Sequence, residues 1–203
     1  MRIFFVCKRR PQQRDLIEHP YGRFCHVPRA LAMLGHDVRV ALFSHSRLPA
    51  VETEQEGVYT TSLDLLTLGP TRVLDTIAAQ VGNFRPDWIV GCSDAWVGVL
   101  AQRLATRVRC RLVLDAYDNF EAYMPWNLPL HWLWRRAIRA ASAVTAAGPQ
   151  LADHLQCFRG AGRAVDVLPM AADPQFRRRD RMECRAALGL PPSNLLIGYL
   201  GSW

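Results

Sequence analysis

The chain has 203 residues, half of them hydrophobic and 21% charged. That is enough for one large domain, or one domain and a piece of another, and it excludes a disordered chain. The formal net charge is +7, and all but one of the 25 basic residues are Arg. Arg presents a planar fork that pairs with phosphate, so the excess points to nucleic acid, an anionic membrane surface or a phosphorylated small substrate, unless it only reflects codon usage.

Arg2–Cys7 reads as a first strand. It is too short for a signal peptide, and Lys8-Arg-Arg follows at once; no uncharged apolar run reaches the ~20 residues of a spanning helix. The cytoplasm is the expected compartment. A polar loop leads to Tyr21-Gly22. Phe24, Val27, Leu31 and Leu34 then recur at helical spacing, with Gly35 as the stop. Strands are expected over Asp37–Phe43 and Gly57–Leu66, a helix over Thr71–Val81, and a fourth strand over Trp88–Gly91 after Pro86-Asp87. A helix over Asp94–Leu104, a strand over Arg111–Asp115 and a helix over Leu128–Ala141 follow. Then come a strand from Ala143 to Ala147, a helix over Pro149–Leu155 and a strand over Val165–Leu168. A helix over Arg181–Leu188 and a terminal strand over Leu195–Leu200 complete the list. The six cysteines are far apart, with no C-x-x-C, so neither structural zinc nor a disulfide framework is expected. Cys7, Cys92 and Cys110 read as small core residues.

Strand and helix alternate, and the strands are continuous apolar runs. This predicts an α/β fold: a doubly wound, mostly parallel, Rossmann-like sheet with helices on both faces. Ligands in such sheets bind beyond the carboxyl ends of the strands, so those loops hold the candidate sites. Tyr21-Gly22-Arg23 precedes the first helix. Gly22 there is either an ordinary turn residue or one that lets backbone N–H groups approach a phosphate, with Arg23 adding charge. No G-x-G-x-x-G is present, which disfavours a nicotinamide enzyme. Asp94 is placed to cap a helix, or to accept from a sugar hydroxyl. Asp115, Asp118, Asn119 and Glu121 gather at the end of the fifth strand. They suit polyol recognition or proton transfer, or else a capping loop. Neither D-x-D nor a metal-ligand spacing occurs. Trp126, Trp132 and Trp134 lie among Leu and Arg, which fits either core packing or a membrane-interface helix. The Arg residues are dispersed and no nucleic-acid motif appears, so no nucleic-acid partner is expected.

The order of these segments resembles the N-terminal domain of a glycosyltransferase with the GT-B fold, of the family-four type. Leu31, Gly35, His36 and Val38 resemble the family's Leu-x-x-x-Gly-His-x-Val. Pro86–Val90 resembles its entry into the fourth strand, and Ala143–Leu155 the strand and helix that close the domain. Val167–Phe176 resembles the family's Ile-Pro-Asn-Gly-Val-Asp-x-x-x-Phe crossover, with Asp173 and Phe176 matching. Leu188-Gly-Leu and Ile197–Gly201 resemble the start of a second domain. The resemblance implies residues 1–168 as the acceptor-side domain, 169–194 as crossover and 195–203 as the first strand of a C-terminal domain. It implies metal-independent hexosyl transfer from a nucleotide-sugar co-substrate, without a further cofactor, to a glycan or lipid-linked acceptor in bacterial glycan synthesis. Gly22 maps to the donor diphosphate, and Asp118 stands where many relatives carry a catalytic His. Tyr21, Arg23, Asp94, Asn119 and Glu121 are the acceptor-side candidates. The family's Glu-x7-Glu motif belongs to the second domain. The expectation is therefore a fragment or one half of a split enzyme, with little transfer alone, peripheral at an anionic membrane's inner face. A non-catalytic Rossmann-like binding module is the alternative.

Overall fold

A computed structural model describes residues 1–172 and 176–199. Met1–Ala171 form one compact unit and the residues from Ala172 onward a second. The strands of the first unit are β1 (Arg2–Lys8), β2 (Asp37–Ser44), β3 (Val51–Gln55), β4 (Val58–Asp64), β5 (Trp88–Cys92), β6 (Arg111–Ala116), β7 (Ala143–Ala146) and β8 (Asp166–Val167). They form one sheet in the order β3-β4-β2-β1-β5-β6-β7-β8, parallel except for the β3–β4 hairpin. The helices are α1 (Arg23–Met33), α2 (Leu65–Leu68), α3 (Pro70–Phe84), α4 (Ala95–Val108), α5 (Phe120–Tyr123), α6 (Leu128–Ala140) and α7 (Pro149–Arg159). The predicted α/β class and parallel sheet are thus observed. The antiparallel β3 is an addition. Its sequence, Val-Glu-Thr-Glu-Gln, carries no apolar stripe because it is an exposed edge strand.

The two faces of the sheet carry unequal helix layers. Phe4, Val6, Ile89, Leu112, Leu114 and Val144 join the larger core, with residues of α3, α4, α6 and α7. Strand alternation sends Ile3, Phe5, Val38, Val40 and Val90 to the other face, against Phe24 of α1. The closest helix–sheet approach is at α4. A Cβ on Gly91 would sit 2.6 Å from the Ala101 Cβ and 3.2 Å from the Gly98 Cα. A Cβ on Gly98 would run into the Trp134 ring of α6. Two glycines therefore let α4 lie close on β5 and let Trp134 seat on α4.

Buried ionic groups pin the loops. Arg9 and Asp15, both buried, pair at 3.0 Å, and Arg9 also donates to the Pro49 carbonyl at 3.0 Å. Burial pushes the Asp15 carboxyl up, but the Ile17 N–H and the Arg9 guanidinium outweigh it and hold it below the usual range. Arg159 donates to the carbonyls of Ile138, Ala141 and Ser142 at 2.8, 2.6 and 3.1 Å, closing the C-terminal end of α6. Burial lowers its pKa.

In the second unit, α8 (Arg181–Ala187) is capped by Asp180, which accepts from Met182 and Glu183 at 2.8 and 2.9 Å. Arg185 gathers the carbonyls of Pro191, Pro192 and Asn194. The terminal strand expected over Leu195–Leu200 has no ladder among the described residues, where 195–199 are irregular. Asp173, and the segment from Leu200 to Trp203, lie outside the described residues. No helix among the described residues is long and apolar enough to cross a membrane.

Candidate functional site

The strand order reverses at β1. From β1 the chain moves outward to β2 and β4, then crosses back to β5 on the other side. The crevice at the carboxyl ends of β1 and β5 is the switch point, where open parallel sheets take ligands. Three side chains meet there. The Lys8 N–H donates to Ser93 Oγ at 2.9 Å. The Lys8 ammonium pairs with Asp94 Oδ2, while Asp94 Oδ1 accepts from the Val97 N–H at 2.9 Å. Asp94 is thus both the N-cap of α4 and half of an ion pair. Ser93 is buried and held at φ +86°, a left-handed conformation that costs a non-glycine residue about 1–3 kcal/mol. Such strain is kept where the surroundings over-determine it. Here the β1–β5 pairing and the α4 cap impose it from either side.

The loop before α1 forms one wall. Gly22 is the N-cap of α1, at φ +61°. Any side chain there would be strained, which is a physical reason for glycine. The Tyr21 hydroxyl donates to the Pro11 carbonyl at 2.6 Å, and the Arg14 guanidinium lies 4.6 Å above its ring. Arg23 turns inward. It donates to Asp115 at 2.6 Å and to the Leu168 carbonyl at 3.1 Å, and its side chain is buried. The fork expected to add charge for a ligand is instead bound to β6 and to the chain after β8.

The residues after β6 do not form one cluster. Asp115 is on the strand, and alternation sends it to the α1 face, where Arg23 and Thr145 bind it, each at 2.6 Å. Glu121 is held by Arg135 of α6 in a two-bond fork of 2.8 and 2.6 Å. Asp118 and Asn119 remain together. They line a 440 Å³ cavity with Tyr117, Gly148 and His154, between the carboxyl ends of β6 and β7. Asp118 Oδ1 accepts from the Asn119 N–H at 2.8 Å, and the Tyr123 hydroxyl donates to Oδ2. The charge of Asp118 therefore raises the Tyr123 pKa through that bond. Burial pushes the Tyr117 phenol well up. Among the described residues nothing is bonded to His154 Nε2, which is shielded from solvent. Lys8, Ser93 and His154 were not singled out by sequence. Lys8 carried one signal: it is the only Lys, at a strand end.

A third space adjoins the switch point. A groove of 570 Å³ runs between α3 and α4, and Lys8 and Asp94 are among its lining residues.

Residues 23–171, well over half of the chain, match the model of the family described as Glycosyl transferase 4-like domain. The chain belongs to that family. No curated protein matches it at a significant level. Among solved structures it is similar to Anabaena HepE in complex with UDP, at 15% identity and a TM-score of 0.65, over 93% of this chain and 50% of that one. It is similar to sucrose-phosphate synthase of Thermosynechococcus elongatus, at 13% identity and a TM-score of 0.66, over 94% of this chain and 53% of that one. UDP-GlcNAc 2-epimerase of Neisseria meningitidis follows at 14% identity and a TM-score of 0.53, over 82% and 46%. The fold is the N-terminal half of a GT-B glycosyltransferase, and the glycosyltransferase 4-like chain spans about half the length of HepE and of the synthase.

Proposed function

We propose that this glycosyltransferase 4-like domain holds the acceptor during sugar transfer from a nucleotide-sugar donor, in bacterial glycan synthesis. The observation that carries the reading is the pair of polar sites at the carboxyl ends of the parallel strands. One is Lys8–Ser93–Asp94 at the switch point, and the other is Asp118 with Asn119 and His154 between β6 and β7. Solved HepE structures in complex with UDP-glucose, and with UDP and glucose, support a nucleotide-sugar donor. In this reading Gly22 meets the donor diphosphate, because its backbone conformation brings the chain close without a side chain.

Asp118 is the catalytic candidate. Its oxygens already accept from Asn119 and Tyr123, so the carboxylate is fixed in place. As an ionised group it only accepts, so it can orient a sugar hydroxyl or take its proton. Asp94, Asn119 and Tyr21 are the further polar contacts for the acceptor. Arg23 and Glu121 hold the site's walls instead, through Asp115 and Arg135. Residues 169–194 are read as the crossover and 195–203 as the start of a donor-side domain. Transfer needs no metal in this reading, and the enzyme works in the cytoplasm at the inner face of an anionic membrane. Exposed Trp126, Leu128 and Trp132, beside Arg135, Arg136 and Arg139, support the membrane contact.

The test is transfer of labelled sugar from a panel of nucleotide sugars to lipid and glycan extracts. It compares the 203-residue chain alone with the chain co-expressed with a donor-side GT-B domain. Transfer that needs both polypeptides is expected, with Asp118→Asn lowering kcat at least tenfold at an unchanged melting temperature. Transfer by the 203-residue chain alone would overturn the division of labour. Failure of every donor in every pairing would overturn the sugar-transfer reading.

A further inference from the structure

The groove between α3 and α4 is built differently from the rest of the helix layer. Close-packed helices interdigitate and leave few voids larger than a water molecule. Here 570 Å³ stays open, a volume within the ~300–1000 Å³ range of small-ligand sites. One wall is the stripe Pro70, Leu74 and Ala78 of α3; the other is Trp96, Leu100 and Leu104 of α4. Phe43 and Leu65 also line it. Leu74 and Trp96 are 42% and 52% exposed. Two large apolar side chains therefore face water at the rim of an apolar trough.

The charged groups lie at its two ends. At the switch point stand Lys8, Asp94 and His45. Farther along α4 stand Arg103 and Arg107, with Asp75 of α3 as the acid on the opposite wall. Among the described residues neither Arg103 nor Arg107 has an ion pair or a side-chain hydrogen bond. Lys8 and Asp94 neutralise each other, so the far end keeps a net positive charge. At 1.5 Å per residue, Asp94 and Arg103 are about 14 Å apart along the helix.

We propose that this groove binds an amphiphilic acceptor. Its hydroxyl end lies at Lys8–Asp94, its apolar chain on Leu74, Leu100 and Leu104, and its phosphate about 14–20 Å along the helix, at Arg103 and Arg107. Apolar walls hold an alkyl chain by removing it from water. The guanidinium fork suits a phosphate oxygen pair. The inference rests on the acceptor-side reading above and adds the substrate class.

The probe is a series of ω-hydroxyalkyl phosphates of increasing chain length, free in solution below their micelle concentration, titrated against the 203-residue chain by calorimetry. Affinity should rise about fourfold per added methylene, which is about 0.8 kcal/mol, until the chain spans the groove. The matching uncharged diol should bind at least tenfold more weakly, and Arg103→Glu should abolish that difference. A diazirine on the alkyl chain should label peptides of α3 and α4. Ala78→Trp, which fills the trough from a half-buried position, should block labelling while thermal melting confirms the fold. Affinity independent of chain length, a diol that binds equally well, or labelling on the Trp126–Trp132 segment instead would overturn the proposal. Binding only when the phosphate is presented in vesicles would overturn it too, since the groove would then not hold a free amphiphile. Absent binding would leave transfer to polar acceptors standing, and absent transfer would leave binding in the groove standing.

Discussion

Asp64 closes β4 and is almost wholly buried, yet it organises two loops. Its Oδ2 accepts from the N–H groups of Ser46 and Leu48 at 3.0 and 3.1 Å. Its Oδ1 accepts from the N–H groups of Leu66 and Thr67, both at 2.9 Å, and from the Thr67 hydroxyl at 3.1 Å. Asp64→Asn keeps the shape but turns one acceptor oxygen into an NH₂ that faces N–H donors. The better-populated rotamer keeps the carbonyl on the three α2 donors, so Ser46 and Leu48 lose their bonds to Oδ2. Ser46 N–H keeps Ser44 Oγ at 3.2 Å, so one half-buried N–H, that of Leu48, is left without its acceptor, and the expected loss is about 1–3 kcal/mol. Urea unfolding followed by circular dichroism measures it, with an unchanged m-value. Amide exchange should quicken at Ser46 and Leu48, and His45 between β2 and these residues should loosen with them. Burial pushes the Asp64 carboxyl up, but bonds from Ser44, Thr67 and Leu48 outweigh it and hold it far below the usual range. A depressed carboxylate stabilises above its unfolded pKa of about 3.9, so this stability is full at neutral pH and fades as the pH falls below about 4. A loss under 1 kcal/mol with unchanged exchange at Ser46 and Leu48 would refute the reasoning.

Two further outcomes are expected. Gly98→Ala places a methyl in the Trp134 ring, and overpacking of this kind costs about 1–3 kcal/mol; a thermal melt that does not move would show that α4 is not packed so closely. Trp132→Ser with Arg136→Ser removes an exposed indole and the guanidinium 5.6 Å above it, so co-sedimentation with anionic vesicles should fall at least tenfold. Equal sedimentation of the double variant would remove the membrane contact from the functional reading.

The sheet was legible because parallel strands covered by helices read as apolar runs, and Leu112-Val-Leu or Ile89-Val needed no context. β3 was not, because an edge strand of Glu and Thr has no apolar period. The Trp residues of α6 divided as helical geometry requires. Trp134 is buried against Phe120, at 5.3 Å between centroids, while Trp132, two residues earlier, faces water. The apparent carboxylate cluster after β6 failed as a cluster for an equally local reason. Spacing along the chain does not encode strand alternation at Asp115 or the arrival of Arg135 beside Glu121. Lys8 and Ser93 are 85 residues apart, and only the pairing of β1 with β5 brings them together. Sequence could locate the ends of β1 and β5, but not that they become neighbours.

The lone lysine also makes the protein its own chemical reporter. Apart from the terminal amine, Lys8 is the only primary amine in the chain, its side chain is 38% exposed, and it sits at the switch point against Asp94. An amine-reactive reagent applied to this arginine-rich surface therefore modifies, besides the chain terminus, the candidate site alone. Protection of that single amine would register occupancy by any ligand, without tag, label or knowledge of the reaction.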